Sequence, residues 1–313
     1  MHSIRPFDFA SDSAMPVPTR PRVLPASAAA LLLLTSVSAA QSPAATPAIA
    51  QPLAVITLEP WRTRWMVTAT VGRQPRKYLF DTGGGLTFVS ATTAAAAGCE
   101  PWGRLTGFNM FGKRGDSPRC DDLALDLGGR RWTLPVVGLI DMAALNPRDS
   151  ALDGIVGLDL FADRAVTLDL AAGRIVVESD ESLAERVRAM TPIPIHLVRE
   201  AGGFALSVRA AVPSARGTLW MELDSGNGGT VLVSKPVARL LGLDPSLEGK
   251  QRADFPVAGS ARVRTDDAYT SDLTMDGNLG MPFLRHWIVT LDLRTGRGWI
   301  APTGDGGRES AGR

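Results

Sequence analysis

Two aspartates stand in nearly the same local sequence. Asp81 lies in Tyr78-Leu79-Phe80-Asp81-Thr82-Gly83-Gly84-Gly85, and Asp224 lies in Met221-Glu222-Leu223-Asp224-Ser225-Gly226-Asn227-Gly228. A single such loop is ordinary turn chemistry, because Asp bonds its own backbone and Gly accepts positive φ. Two copies offer what one cannot, a pair of carboxyls brought together. Close carboxyls cannot both ionise cheaply, so they share one proton. The ionised member can then take a proton from a water, while the protonated member hydrogen-bonds a carbonyl oxygen. Amide hydrolysis needs those two actions.

The repeat extends beyond the aspartates. Leu86-Thr87-Phe88-Val89-Ser90 follows the first, and Val231-Leu232-Val233-Ser234 follows the second. Each Ser can cap a short helix, and Gly98 and Gly242 can end it. Both Ser-to-Gly spans are 8 residues. Asp153-Gly154-Ile155-Val156-Gly157 then matches Asp276-Gly277-Asn278-Leu279-Gly280. Without a gap, Ala165-Val166-Thr167-Leu168-Asp169 matches Ile288-Val289-Thr290-Leu291-Asp292, and Gly173-Arg174 matches Gly296-Arg297. Four landmarks in one order indicate an internal duplication, with a period too long for a solenoid.

An apolar strand ending in Asp-Thr/Ser-Gly, followed by a strand ending in two apolar residues and Gly, resembles the half-barrel of the aspartic proteases. Over roughly Leu53 to Pro302 the compact lobes are more similar to the retropepsin-like proteins of bacteria than to full-length pepsins. The resemblance implies a mostly β, bilobal pepsin-like fold of two duplicated barrel lobes with short helices. It implies catalytic roles for Asp81 and Asp224. Thr82 and Ser225 would lock the loops through their hydroxyls, and Gly83 and Gly226 would let backbone N–H groups approach the carboxylates. It implies no cofactor or metal, a peptide or protein substrate, and a monomer sufficient for the active site.

Asp81 to Asp153 spans 72 residues, but Asp224 to Asp276 spans only 52. The extra residues include Gly107-Phe108-Asn109-Met110-Phe111-Gly112, which makes the first lobe the candidate donor of a flap over the cleft. A flap in this family often carries Tyr; the tyrosines here are Tyr78 and Tyr269, so Phe108, Met110 or Phe111 would have to serve, or else merely pack the lobe. Arg114-Gly115-Asp116-Ser117 reads as the hairpin tip, flanked by Gly112 and Pro118. After each Asp-Thr/Ser-Gly, pepsins usually have a hydroxyl residue; here Gly84 and Asn227 stand there. Loss of a donor to the charged form raises a carboxyl pKa, so the expected optimum is less acidic than pepsin's.

The N-terminus has the character of a leader. Arg20 and Arg22 precede an apolar run from Ala28 to Leu34 that ends in Ser36-Val37-Ser38-Ala39-Ala40. This is a basic n-region, a short h-region and a small-residue cleavage site, with Met15 an alternative start. The run is short for a membrane span, which needs roughly 20 apolar residues. Residues 1–40 are therefore expected to be a signal region and 41–52 an Ala/Pro/Ser-rich tether. The expected domains are a first lobe with the flap over 53–180, a connecting helix over 181–190, a second lobe over 191–302 and a disordered tail over 303–313. The chain would be exported, periplasmic or secreted, with no stable membrane span once mature. An uncleaved anchor is the alternative.

The net charge of +1 gives no reason to expect nucleic acid. Cys99 and Cys120 are the two cysteines. An isolated pair in an exported protein usually forms a disulfide, and the alternative is two buried thiols.

The elements that must hold the two loops read as short, β-branched segments bounded by Gly or Pro. Val67–Val71 and Lys77–Phe80 form a first hairpin around Gly72–Pro75. Leu123, Leu125 and Leu127 alternate with polar residues before Gly128-Gly129 turns the chain into Trp132-Thr133-Leu134. A metal site or Ser-His-Asp triad finds no motif, since His196 and His286 are the histidines beyond the leader. A glycosidase would also use two carboxyls, but would not explain the Thr/Ser-Gly after each Asp. The competing functions are a binding or scaffold protein on the same fold and a membrane-tethered regulator that cuts one partner.

Overall fold

The structure, a computed structural model, describes residues 50–304. The leader, the tether through residue 49 and the tail from residue 305 lie outside the described residues.

Both halves begin with a hairpin that delivers an aspartate. Strand Arg64–Val71 pairs with Gln74–Phe80, placing Met66 opposite Leu79. The turn is Gly72-Arg73, with φ of 55° and 70°, the left-handed pair that two-residue hairpins favour. Gln74 and Pro75 belong to the strand, so the turn is tighter than Gly72–Pro75. In the second half, Ala205–Ser214 pairs with Gly217–Leu223, placing Arg209 opposite Glu222.

Each aspartate strand lies parallel to the short strand of its second signature. Gln74–Phe80 runs beside Gly154–Val156, with Leu79 next to Ile155. Gly217–Leu223 runs beside Gly277–Leu279, with Glu222 next to Asn278. The signature aspartates fasten this arrangement. Asp153 accepts the Lys77 N–H at 3.0 Å, and Asp276 accepts the Trp220 N–H at 2.8 Å. Lys77 and Trp220 stand at equivalent positions in the two copies.

A shared sheet joins the halves. Ala165–Asp169 and Trp287–Asp292 pair antiparallel at its centre, with Thr167 opposite Thr290. Those threonines are equivalents in the duplication, and their hydroxyls hydrogen-bond at 2.8 Å. A pseudo-twofold axis therefore passes between them. On either side an Asp–Arg pair closes a hairpin: Asp169 with Arg174 at 2.8 Å, and Asp292 with Arg297 at 3.1 Å. Burial pulls the Asp292 carboxyl up, yet Arg294, Thr295 and Arg297 outweigh it and hold it at about 2.

The core follows the strand pattern. Leu123, Leu125 and Leu127 are buried, and Gly128-Gly129 makes the reversal with φ of 60° and 73°. One large apolar cluster includes residues from both halves and the shared sheet. A smaller one holds Met66, Leu79, Met142, Leu152 and Ile155 in the first half. Short helices cover the lobes. Ser90 caps Ala91–Ala96, accepting the Thr93 N–H at 3.2 Å. Ser234, at the head of the 3₁₀ segment Lys235–Leu241, makes no such side-chain bond. A helix over Asp180–Arg186, followed by a 3₁₀ turn over Val187–Ala189, leads to the strand Thr191–Glu200.

A long hairpin, Trp102–Phe108 with Arg114–Leu127, projects from the first half. Its tip is Asn109–Lys113, where the Asn109 side chain accepts the N–H groups of Phe111 and Lys113. Arg114–Ser117 lie in the second strand rather than at the tip, as the Gly107–Gly115 and Phe108–Arg114 pairs require. Cys99 and Cys120 form a disulfide that ties the end of the first helical segment to this hairpin. Closing such a loop is worth roughly 3 kcal/mol by loop entropy. Among the described residues, no helix is long and apolar enough to cross a membrane.

Candidate active site

The two aspartate loops meet. The Asp81 and Asp224 carboxyls come close enough for each to raise the cost of ionising the other, and each lies against the glycine of the opposite loop. A Cβ on Gly83 would fall 2.6 Å from Asp224 Cγ, and one on Gly226 would fall 2.3 Å from Asp81 Cγ. Only glycine leaves room for the carboxyls to approach. Within its own loop, Asp81 accepts the Gly83 N–H at 2.9 Å and Asp224 accepts the Gly226 N–H at 2.8 Å.

The hydroxyls cross between loops. Thr82 Oγ1 donates to Leu223 O at 2.6 Å and accepts the Ser225 N–H at 2.9 Å. Ser225 Oγ donates to Phe80 O at 3.0 Å and accepts the Thr82 N–H at 3.1 Å. Four bonds thus tie the halves at their point of contact, and Thr82 and Ser225 are fully buried. Buried pairing of this kind is strong because either partner left alone would be costly.

Symmetry ends there. Asp224 accepts two further donors, the Asn227 N–H at 3.1 Å and Asn278 Nδ2 at 2.7 Å. The Asn227 side chain turns away from the carboxyl and bridges Asn278 Oδ1 and the Thr230 loop. Asn278 Nδ2 also lies 3.4 Å from Glu222 Oε2. Glu222 and Asn278 are both buried. Gly84 gives Asp81 no side-chain donor, although a Cβ there would lie 3.2 Å from its Cγ.

Charge follows geometry. Desolvation, then the Asp224 charge, holds the Asp81 carboxyl well above the ordinary range. Burial, then the same charge, pushes Glu222 up to about 7, against its contacts with Ser207, Arg209 and Asn278. Burial likewise raises Asp159 to about 7, despite bonds from the Thr87 backbone and hydroxyl.

The long hairpin reaches across the halves. The Thr274 N–H donates to Met110 O at 2.9 Å, and Thr274 Oγ1 to the same oxygen at 3.3 Å. Met110 is half-buried, while Phe108 and Phe111 are exposed. Sequence reading singled out neither Glu222 nor Asn278. A signal existed: the duplication sets them against Leu79 and Ile155, two polar residues against two apolar ones. Among the described residues, no group of three or more His, Cys, Asp or Glu side chains could hold a metal ion.

No known family profile matches the chain, and neither does any curated protein. Among solved structures, basic 7S globulin from soybean is similar over 80% of this chain and 95% of its own length, with a TM-score of 0.54 and 11% identity. That protein is named as a globulin, and at this identity the likeness concerns fold. Likeness and topology together make the chain a mostly β, bilobal protein of pepsin-like fold.

Proposed function

We propose that the chain is an aspartic endopeptidase of retropepsin-like kind, with Asp81 and Asp224 as its catalytic pair. The observation carrying this reading is the close carboxyl pair, each member set against the opposite loop's glycine and braced by Thr82 and Ser225. Three N–H donors surround Asp224 and one serves Asp81, so the pair's single charge rests on Asp224 and its proton on Asp81. Asp224 takes a proton from a water as its oxygen attacks the scissile carbon. Asp81 gives its proton to the carbonyl oxygen. Collapse of the resulting diol breaks the C–N bond: a diol hydroxyl returns a proton to Asp81, and the leaving amine takes the proton held by Asp224. The hairpin tip at Met110 would cover the substrate. Because Gly84 leaves Asp81 without a side-chain donor, the optimum lies above about pH 3.

The disulfide is compatible with an exported protein. We place removal of the leader near Ala40 and assign the lobes to 53–180 and 191–302, joined by 181–190.

A second reading is a binding protein on the same fold. The observation favouring it is the hairpin tip fastened to Thr274, which holds the flap against the second half. A peptide library assayed across pH, with Asp81→Asn and Asp224→Asn beside the parent, separates the two. Either substitution should cut kcat/KM by about 10³-fold or more. Cleavage surviving both would rule out this pair as the catalyst. No cleavage by the parent, together with binding of a statine-type inhibitor, would favour the binding protein.

A further inference from the structure

Two buried polar residues and a half-buried arginine of the second half meet behind Asp224. Arg209, Glu222 and Asn278 are neighbours across three adjacent strands. Their counterparts in the first half are Met66, Leu79 and Ile155, an apolar trio in the same strand registers. A buried carboxyl is costly without partners, so this substitution of a whole apolar trio calls for a role.

We propose that Glu222 is a positioning residue coupled to the Asp81–Asp224 pair through Asn278, and that its charge sets the pH range over which the pair holds its shared proton. This rests on the two-acid reading of the site.

Asn278 is held at both ends. Its oxygen accepts Asn227 Nδ2 at 2.8 Å, and its nitrogen faces both Asp224 Oδ2 and Glu222 Oε2. The amide therefore cannot flip without losing every partner. Glu222 is met by Asp224 on its own strand and, at greater range, by Asp81 from the opposite loop. From the neighbouring strand it is met by the Arg209 guanidinium and the Ser207 hydroxyl, and from the other side by Asn278. His196 lies beyond Arg209, opposite it on the next strand, and stacks on Trp220.

The sign follows. An ionised Glu222 adds negative charge beside the pair and opposes loss of its last proton. Removing that charge should release the proton at lower pH. Removing the Asn278 donor should do the opposite, because the anion on Asp224 loses a partner. That Glu222 itself titrates near neutrality places this coupling in a working range.

The test is a carboxyl titration by NMR on the full chain labelled with ¹³C at Asp and Glu side chains. Glu222→Gln should lower the midpoint for the pair's last proton by about one pH unit, and Asn278→Ile should raise it. The alkaline limb of kcat should move with it, at unchanged KM. A midpoint unmoved or raised in Glu222→Gln overturns the inference. Should that variant not fold, the parent's own carboxyl titration decides: two-step curves shared by Glu222 and the pair support the coupling, and independent single-step curves overturn it. Midpoints that shift in a chain without peptidase activity would keep the coupling and remove the peptidase reading. Cleavage with unmoved midpoints would do the reverse.

Discussion

The two halves build the same loop on different foundations. Behind Asp81 stand Met66, Leu79 and Ile155, buried in an apolar cluster. Behind Asp224 stand Arg209, Glu222 and Asn278, in the same registers. The backbone framework tolerates either set, since the strands pair identically. What differs is the number of donors reaching the aspartate and the charge stored behind it. The first half supplies a dry, passive support; the second supplies a polar one that responds to pH.

This comparison can be broken most forcefully at the point where the halves are alike. Thr82→Val and Ser225→Ala each remove two buried cross-loop bonds and leave a backbone N–H and a carbonyl unpaired. Each should cost about 4 kcal/mol, at 1–3 per orphaned group. Denaturant unfolding should give similar losses for the two. A loss confined to one would show that the brace is not symmetric.

A somewhat smaller effect separates the halves. Glu222 titrates at about 7 when folded, against an ordinary value of 4.5. Its folded pKa is raised, so its contribution to stability is whole below about pH 4.5 and is lost as pH rises through about 7. The loss is about 3 kcal/mol by linkage. Unfolding free energy followed from pH 4 to pH 8 should decline, and Glu222→Gln should flatten that decline. Asp159, also raised to about 7, contributes a second decline that Glu222→Gln leaves in place. An unchanged slope in Glu222→Gln would mean that the second half stores no such charge.

The smallest expected effect makes the first half more like pepsin. Gly84→Ser would set a hydroxyl beside Asp81, since its Cβ would lie 3.3 Å from Oδ2. The added donor favours the ionised form of Asp81, which holds the pair's last proton, so it should move the alkaline limb of the pH–rate profile down by about half a unit. A profile that stays put would mean that the serine hydroxyl bonds elsewhere.

Much of this was legible in the chain itself. The paired Asp-Thr/Ser-Gly loops, the Gly128-Gly129 reversal and the Cys99–Cys120 partnership follow from local patterns, and local patterns survive folding. The order of duplicated landmarks marked Thr167 and Thr290 as equivalents, but the shared sheet in which they meet emerges only from the fold. Other features depend on topology. Glu222 and Asn278 are 56 residues apart and touch only because their strands run parallel. The Met110–Thr274 contact joins a hairpin tip to a loop without any repeat pattern. Ser234 carries the same capping signature as Ser90, yet its side chain makes no cap bond at the head of the 3₁₀ segment that follows.

The pairing of Thr167 with Thr290 has a further consequence. Had two identical chains met across that axis, every substitution would have appeared on both sides at once. A glutamate at position 222 would then have faced a second glutamate at the place of Leu79, crowding four acids around one water. Carrying both halves on one polypeptide removes that obligation. One side can stay oily while the other becomes ionic, and a twofold scaffold can hold a carboxyl pair with a front and a back.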